Sequence, residues 1–115
     1  MTDCIFCRIV AGEIPADVVG RTDEAIAFRD LDPKAPTHLL VVPIRHVDAP
    51  RDATGEEGAR LLGHLVQYAT RLATDLGLDQ RGYRLVTNTG PDAGQSVPHL
   101  HLHLLGGRPM KWPPG

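Results

Sequence analysis

Residues 97–105 of the 115-residue chain read VPHLHLHLL and are its most regular segment. His99, His101 and His103 alternate there with three leucines. In an extended strand, residues two positions apart share a face and lie roughly 6.5–7 Å apart, whereas in a helix they would scatter around the axis. The alternation therefore predicts a β-strand that places three imidazoles on one face and three leucines in the core.

Three interpretations of this histidine row stay open on spacing alone. Imidazole is a common zinc ligand, so two histidines of the strand can bind one ion. Alternatively, one imidazole is a nucleophile and its neighbours set its tautomer. The third interpretation is an exposed polar sheet face that happens to contain histidine.

The loop before the histidines favours phosphorus chemistry. Residues 88–96, NTGPDAGQS, are rich in Gly and small polar side chains, and backbone N–H groups of such a loop can bind an anion. Ser96 brings a hydroxyl to the same place. This combination suits a phosphate ester or a phosphoramidate better than a bare metal, so we expect a histidine nucleophile that attacks phosphorus.

The remaining segments predict an α+β domain with an antiparallel sheet. Strands are expected at residues 24–29, 38–42 and 83–88, where short apolar or alternating runs end at turn residues. A long helix is expected to begin after Thr54 and to end near Gly77. Its predicted buried stripe consists of Leu62, Leu65, Val66, Ala69, Leu72, Ala73 and Leu76.

Composition and charge exclude several classes of protein. The length indicates a single domain over residues 1–115, and 42% hydrophobic with 23% charged residues is ordinary for a globular chain. A net charge of −2 without basic runs predicts no nucleic-acid partner. No apolar run is long enough to span a membrane, and the N-terminus lacks a signal-peptide pattern, so we expect a cytoplasmic protein that binds no membrane.

Cys4 and Cys7 form a C-x-x-C pair near the N-terminus. For a cytoplasmic protein this pair indicates a metal half-site or a redox dithiol rather than a structural disulfide. A thioredoxin-like motif would follow a strand, and only three residues precede Cys4. The pair therefore favours metal.

The histidine row with its surroundings resembles the histidine triad (HIT) superfamily. The run from His99 to Leu105 is similar to its His-φ-His-φ-His-φ-φ motif, where φ is an apolar residue. GQSV at 94–97 and GGRPMKWPPG at 106–115 resemble the Hint branch, the purine-nucleoside phosphoramidases. Further similar segments are IF at 5–6, GEIP at 12–15, FRD at 28–30 and APTH at 35–38, so the resemblance covers nearly the whole chain.

The resemblance implies a fold and an assembly. The expected fold is a meandering antiparallel sheet of about five strands with one long helix and a short N-terminal helix. The chain is expected to form a homodimer. Its tail, residues 106–115, would contribute to the dimer and to the active site.

The resemblance also implies a reaction and its catalytic residues. His101 would attack a purine nucleoside 5′-phosphoramidate and form a covalent nucleotidyl-histidine that water then cleaves. The backbone carbonyl of His99 would hold the other ring nitrogen of His101. His103 would donate to the phosphoryl oxygens, and Ser96 would donate to the leaving amine.

The same resemblance assigns nucleotide-binding residues. Asp30 would bind the ribose hydroxyls, Asn88 would contact the phosphate, and Trp112 would reach the partner subunit's site. His38 would support the residues that contact the nucleotide without touching the nucleotide itself. The full expected set is Phe6, Ile14, Asp30, Leu31, Asn88, Gln95, Ser96, His101, His103 and Trp112, with Phe6, Ile14 and Leu31 as walls around the base.

Some bacterial members of the branch carry a zinc site, and this chain has matching residues at Cys4, Cys7, His46 and His99. The resemblance therefore implies a structural Zn²⁺ and no organic cofactor. Two other functions remain open at this stage. One is dinucleoside polyphosphate hydrolysis, and the other is a non-catalytic module that binds nucleotides.

Overall fold

The computed structural model describes residues 3–115. The first two positions of the predicted domain, Met1 and Thr2, lie outside the described residues. The elements in chain order are α1 (Ile5–Val10), β1 (Val18–Arg21), β2 (Ala25–Arg29), β3 (Thr37–Pro43), a 3-10 turn (Pro50–Asp52), α2 (Gly55–Asp75), β4 (Tyr83–Val86) and β5 (Leu102–Gly106).

The five strands form one antiparallel sheet in the order β1-β2-β3-β5-β4. The first three strands follow one another directly. After β3 the chain crosses the sheet through α2 to reach the far edge at β4, and β5 then returns into the gap between β3 and β4. This architecture confirms the predicted α+β fold with one long and one short helix.

The two faces of the sheet carry separate apolar clusters, because side chains alternate along each strand. On the α2 face, Ala25, Ala27, Leu39, Val41, Leu100, Leu102 and Leu104 pack with α2. On the opposite face, Ile26, Phe28, Leu40 and Val42 pack with Cys4 and Phe6. The short helix α1 therefore covers the face that α2 leaves open.

Helix α2 begins after Thr54 and ends at Asp75, close to the predicted bounds. Its buried face differs from the predicted stripe, because Leu61 and Tyr68 are buried while Val66 and Leu76 are exposed. The helix is therefore rotated slightly from the apolar pattern, and the Tyr68 ring fills space above β1 near Gly20. In the part of the chain that the structure describes, no helix is long and apolar enough to cross a membrane.

Strand β5 begins at Leu102, so the prediction of a strand over 97–105 was wrong in its first half. Leu100 N–H donates to the carbonyl of Val47 at 2.6 Å and His99 N–H donates to that of Val97 at 2.9 Å. Pro98 has no N–H to donate to a sheet ladder. These bonds take residues 97–101 out of the sheet, although the leucines still face α2.

The predicted end of one further strand differs from the structure, and one strand was not predicted. β4 ends at Val86 rather than at residue 88. β1 was not predicted, because its four residues are half-exposed, include Gly20 and lie at the edge of the sheet.

Candidate active site and metal centre

A pocket of about 240 Å³ lies on the α1 face of the sheet. Most of its lining is apolar, and the polar side chains come from the end of β2 and from the segment that leads into and begins β5: Arg29, Asp30, Ser96, His101 and His103. The predicted wall residues Phe6, Ile14 and Leu31 line it as well. The sequence interpretation missed other lining residues, among them Ile5, Ile9, Phe28, Leu40 and Val97. Ile5 and Ile9 are four residues apart on α1, which is the spacing of one helix face.

His101 is held in one tautomer. Its Nδ1 lies 2.7 Å from the backbone carbonyl oxygen of His99. A carbonyl only accepts, so Nδ1 carries a proton, and in the neutral ring the lone pair is on Nε2. The buried ring packs edge to face on Phe6, with centroids 5.2 Å apart. This arrangement fixes the orientation of the ring and leaves Nε2 as the nitrogen that can act as a nucleophile.

His103 receives its tautomer from His38. The backbone N–H of Lys34 donates to Nδ1 of His38 at 3.0 Å, so a neutral His38 carries its proton on Nε2. That Nε2 lies 2.9 Å from Nδ1 of His103. His38 therefore donates to His103, and His103 keeps an Nε2–H that can donate to a ligand.

Burial keeps this pair uncharged near neutral pH. Desolvation, with the nearby His101 and His38 rings, lowers the pKa of His103 to about 4. Desolvation is also the main reason that the pKa of His38 is lowered, against the attraction of Asp30. The pair therefore acts through hydrogen bonds rather than through positive charge at neutral pH.

Asp30 lies at the end of β2, where its carboxylate both stabilises the following turn and lines the pocket. Its Oδ1 accepts from the backbone N–H of Asp32 at 2.8 Å, which fixes the carboxylate at the turn. Its Oδ2 lies 3.5 Å from Nε2 of His38. Because Asp30 lines the pocket, its remaining acceptor capacity suits ligand hydroxyl groups.

Three residues of the predicted nucleotide set, Asn88, Gln95 and Trp112, do not line the pocket. The Gln95 amide is engaged within the protein: its Oε1 accepts from Gly90 N–H at 2.9 Å and its Nε2 donates to the carbonyls of Asp48 and Val97. Gln95 thus shapes the loop before Ser96. Trp112 is 81% exposed in the tail.

A second group of side chains gathers beside the pocket. The ligand atoms of Cys4, Cys7, His46 and His99 all lie within 4.8 Å of one another. Sulfur–nitrogen separations are 3.3 Å for Cys4–His99, 3.5 Å for Cys7–His99 and 3.2 Å for Cys7–His46. Tetrahedral zinc bonds of about 2.3 Å to sulfur and 2.0 Å to nitrogen separate such ligands by about 3.5 Å. The spacing fits a zinc ion.

The hydrogen bonds around the cluster aim both imidazole lone pairs inward. Nε2 of His99 lies 2.9 Å from the carbonyl oxygen of Pro43, so it carries the proton and leaves Nδ1 facing the sulfurs. Nε2 of His46 lies 2.6 Å from the carboxylate of Asp48, which has the same effect. Carbonyl and carboxylate partners of this kind commonly orient metal-bound histidines. Cys4, Cys7, His46 and His99 could therefore hold a metal ion.

Asp30, His38 and His103 also come within metal-binding distance of one another. The positions of the protons in this group do not allow it to bind a metal ion. The Lys34 N–H occupies Nδ1 of His38, so Nε2 bears hydrogen and presents no lone pair to the centre of the group. This trio is a hydrogen-bond relay beside the pocket.

Residues 11–110 match the HIT domain family. The chain therefore belongs to the HIT family, which confirms the resemblance seen in the histidine row.

Individual relatives cover almost the whole chain. A HIT-like protein of Synechococcus elongatus is 51% identical over 113 residues, 98% of this chain and 97% of that protein. The purine nucleoside phosphoramidase of Escherichia coli K12 is 42% identical over 108 residues, 94% of this chain and 90% of that protein. The crystal structure of a HIT family hydrolase from Legionella pneumophila has a TM-score of 0.94 at 49% identity and covers 98% of this chain and 100% of that one.

Proposed function

We propose that this protein hydrolyses the P–N bond of purine nucleoside 5′-phosphoramidates through a nucleotidyl-His101 intermediate. The observation that carries the proposal is the 2.7 Å contact of His101 Nδ1 with the His99 carbonyl. In the neutral ring this contact leaves the lone pair on Nε2, in a residue that lines the pocket. The 42% identity to a purine nucleoside phosphoramidase supports the choice of substrate.

In the first step, Nε2 of His101 forms a bond to phosphorus while the P–N bond breaks. The electron pair of that bond leaves on the amine, which takes a proton from the Ser96 hydroxyl or from water. As the imidazole gains positive character, the His99 carbonyl stabilises it. The Nε2–H of His103 donates to the phosphoryl oxygens, where negative charge develops.

In the second step, water attacks phosphorus and the P–Nε2 bond breaks. The proton that this water loses restores the Ser96 hydroxyl, or passes to solvent where water supplied the proton of the first step. His101 regains its lone pair and the nucleoside monophosphate is released. Two displacements at phosphorus replace one direct attack by water, which is the advantage of covalent catalysis.

The pocket walls explain how the nucleoside is held. Apolar side chains from α1 and the segment after it, together with Phe28 and Leu40 of the sheet, form a surface that suits a flat base. Asp30 accepts hydrogen bonds from the ribose hydroxyls. Ser96 binds the phosphate end of the substrate from the loop that Gln95 shapes.

The protein acts as a homodimer in this proposal. β4 is an edge strand of the sheet, and a second copy can pair with it or cover it. The exposed Trp112 then reaches the site of the partner subunit. Light scattering tests the dimer, and a monomer at the concentrations of the assay contradicts it.

Substrate comparison tests the proposed reaction. Adenosine 5′-phosphoramidate with a simple amine is expected to be hydrolysed to AMP much faster than a diadenosine polyphosphate. Faster cleavage of the dinucleotide would replace the proposal by the second hydrolase activity. AMP binding without any turnover would favour a non-catalytic nucleotide-binding module.

We also propose that the protein binds one zinc ion, which has a structural role. Cys4, Cys7, His46 and His99 would hold it, and a full set of four protein ligands is typical of structural zinc. It supplies a cross-link between α1 and the rest of the domain. The ion takes no part in the proposed reaction. His99 can serve both sites, because its backbone carbonyl orients His101 while its side chain belongs to the cluster.

A further inference from the structure

Helix α1 belongs to both the metal cluster and the nucleotide pocket. Cys4 caps its N-terminus and Cys7 lies in its first turns. Ile5, Phe6 and Ile9 of the same helix line the pocket. A helix of six residues is not stable by itself, so its position depends on what anchors it. An ion bound by both cysteines therefore fixes the wall against which the base packs.

His99 is a second physical link between the two sites. Its Nδ1 faces the sulfurs of Cys4 and Cys7, and its carbonyl oxygen holds the ring of His101. Phe6 contacts both imidazoles edge to face, with centroids 5.8 Å from His99 and 5.2 Å from His101. His99 is therefore in direct contact both with the Phe6 wall and with the nucleophile.

The loop before the histidines adds a third link. Asp48 accepts from the metal-facing His46 through its carboxylate, and its backbone carbonyl accepts from Gln95 at 2.7 Å. Gln95 precedes Ser96, and Ser96 lines both the nucleotide pocket and an open depression that Cys4, His46 and Asp48 also line. A direct hydrogen bond thus joins the loop that carries His46 and Asp48 to the loop that carries Gln95 and Ser96.

We propose that metal binding at the cysteine–histidine cluster and nucleotide binding in the pocket are thermodynamically coupled through α1 and His99. Each ligand raises the affinity of the protein for the other, by the same factor in both directions. The inference rests on the proposed function, because a nucleotide must bind in the pocket. It adds to that function a control of nucleotide affinity by metal occupancy.

The test uses the full chain, loaded with Zn²⁺ or stripped by a chelator, with AMP as the nucleotide. Calorimetry is expected to give an AMP Kd at least about fivefold weaker for the stripped protein, within the usual range of such couplings. In the reverse experiment, competition with a chromophoric chelator is expected to show Zn²⁺ affinity rising by the same factor as AMP is added. The rise should level off once AMP is saturating.

Phe6→Leu keeps an apolar wall but removes the ring that bridges the two histidines. The coupling factor is expected to fall towards one in this variant. Leu31→Ala is the matched control, because Leu31 lines the pocket from the end of β2 and lies outside α1. It should weaken AMP binding while the coupling factor stays at the value of the unmodified protein.

Three outcomes would overturn the coupling. Equal, measurable AMP affinities with and without Zn²⁺ contradict the coupling and leave the proposed function intact. A Zn²⁺ affinity that keeps rising with AMP concentration and never levels off contradicts it too. That pattern indicates that the stripped chain is unfolded and binds no AMP, rather than folded with a displaced pocket wall. Absence of AMP binding in both forms contradicts the proposed function itself, and the coupling with it.

Discussion

The carbonyl oxygen of His99 lies 2.7 Å from Nδ1 of His101, while the ring of His99 points its own Nδ1 at Cys4 and Cys7. One residue thus orients the proposed nucleophile with its backbone and the candidate metal centre with its side chain. Such a division explains how two sites with different chemistry fit on one short segment of the chain.

Removing the Asp30 carboxylate is expected to abolish discrimination between ribose and deoxyribose. Asp30→Ala should weaken AMP binding by roughly 10-fold, about the value of one charge-assisted hydrogen bond. Binding of 2′-deoxy-AMP should change less, because it offers one hydroxyl fewer. Calorimetry with both ligands measures the difference. An equal loss for the two nucleotides would show that Asp30 does not contact the 2′-hydroxyl.

Acid is expected to destabilise the protein partly through His103. Its pKa of about 4 in the folded protein lies below the ordinary value of 6.5, so the unfolded chain takes up the proton first as pH falls. The contribution to stability is therefore complete above pH 6.5 and is lost between pH 6.5 and 4. Denaturant unfolding of the wild type and of His103→Asn across this range isolates the effect. Parallel pH profiles for the two proteins would contradict it.

Asp48 is expected to strengthen metal binding although it is not a ligand. Asp48→Ala removes the acceptor that holds His46 with Nδ1 facing Cys7. Loss of such an outer partner typically weakens metal affinity about 10–100-fold, which chelator competition with Zn²⁺ measures. Asp52→Ala is the matched control, since Asp52 lies in the following 3-10 turn and is not among the clustered residues. Equal losses in both variants would remove the specific role of Asp48.

Two glycines of α2 should respond in opposite ways to alanine. A Cβ on Gly58 would lie 2.1 Å from the backbone carbon of Ala53, and backbone atoms cannot move aside cheaply. We expect Gly58→Ala to lower the free energy of unfolding by about 2 kcal/mol or more. Gly63 has open space around it, so Gly63→Ala should raise that free energy by about 1 kcal/mol through helix propensity. Urea unfolding checks both, and a stable Gly58→Ala would show that the Ala53 turn adapts.

Local sequence patterns predict much of the fold. The alternation of His and Leu correctly places leucines against α2, and the spacing of apolar residues correctly predicts that helix. The exit of residues 97–101 from the sheet depends on the carbonyl of Val47, about 50 positions away, so no local pattern reports it. Strand β1, which the sequence did not predict, is short and half-exposed, so it shows no alternation of apolar and polar residues.

The candidate site divides in a similar way. The residue types and the resemblance identify the histidines, Asp30 and the cluster with Cys4. The proton positions depend on distant acceptors, such as the Pro43 carbonyl for His99 and the Lys34 N–H for His38. Gln95 has a residue type that suits ligand binding, but its hydrogen-bonding groups are engaged within the protein. These features require coordinates because they arise from contacts between separate segments.

Trapping of the covalent intermediate tests whether His101 is the nucleophile. Purified protein is mixed with an adenosine 5′-phosphoramidate, quenched within one turnover under conditions that preserve phosphohistidine bonds, digested and analysed by mass spectrometry. One adenylyl group is expected on Nε2 of His101, and His101→Ala should carry none and lose at least about 10³-fold in kcat/KM. Wild-type turnover by His101→Ala, or an adenylyl group on another residue, would contradict a nucleophilic role of His101.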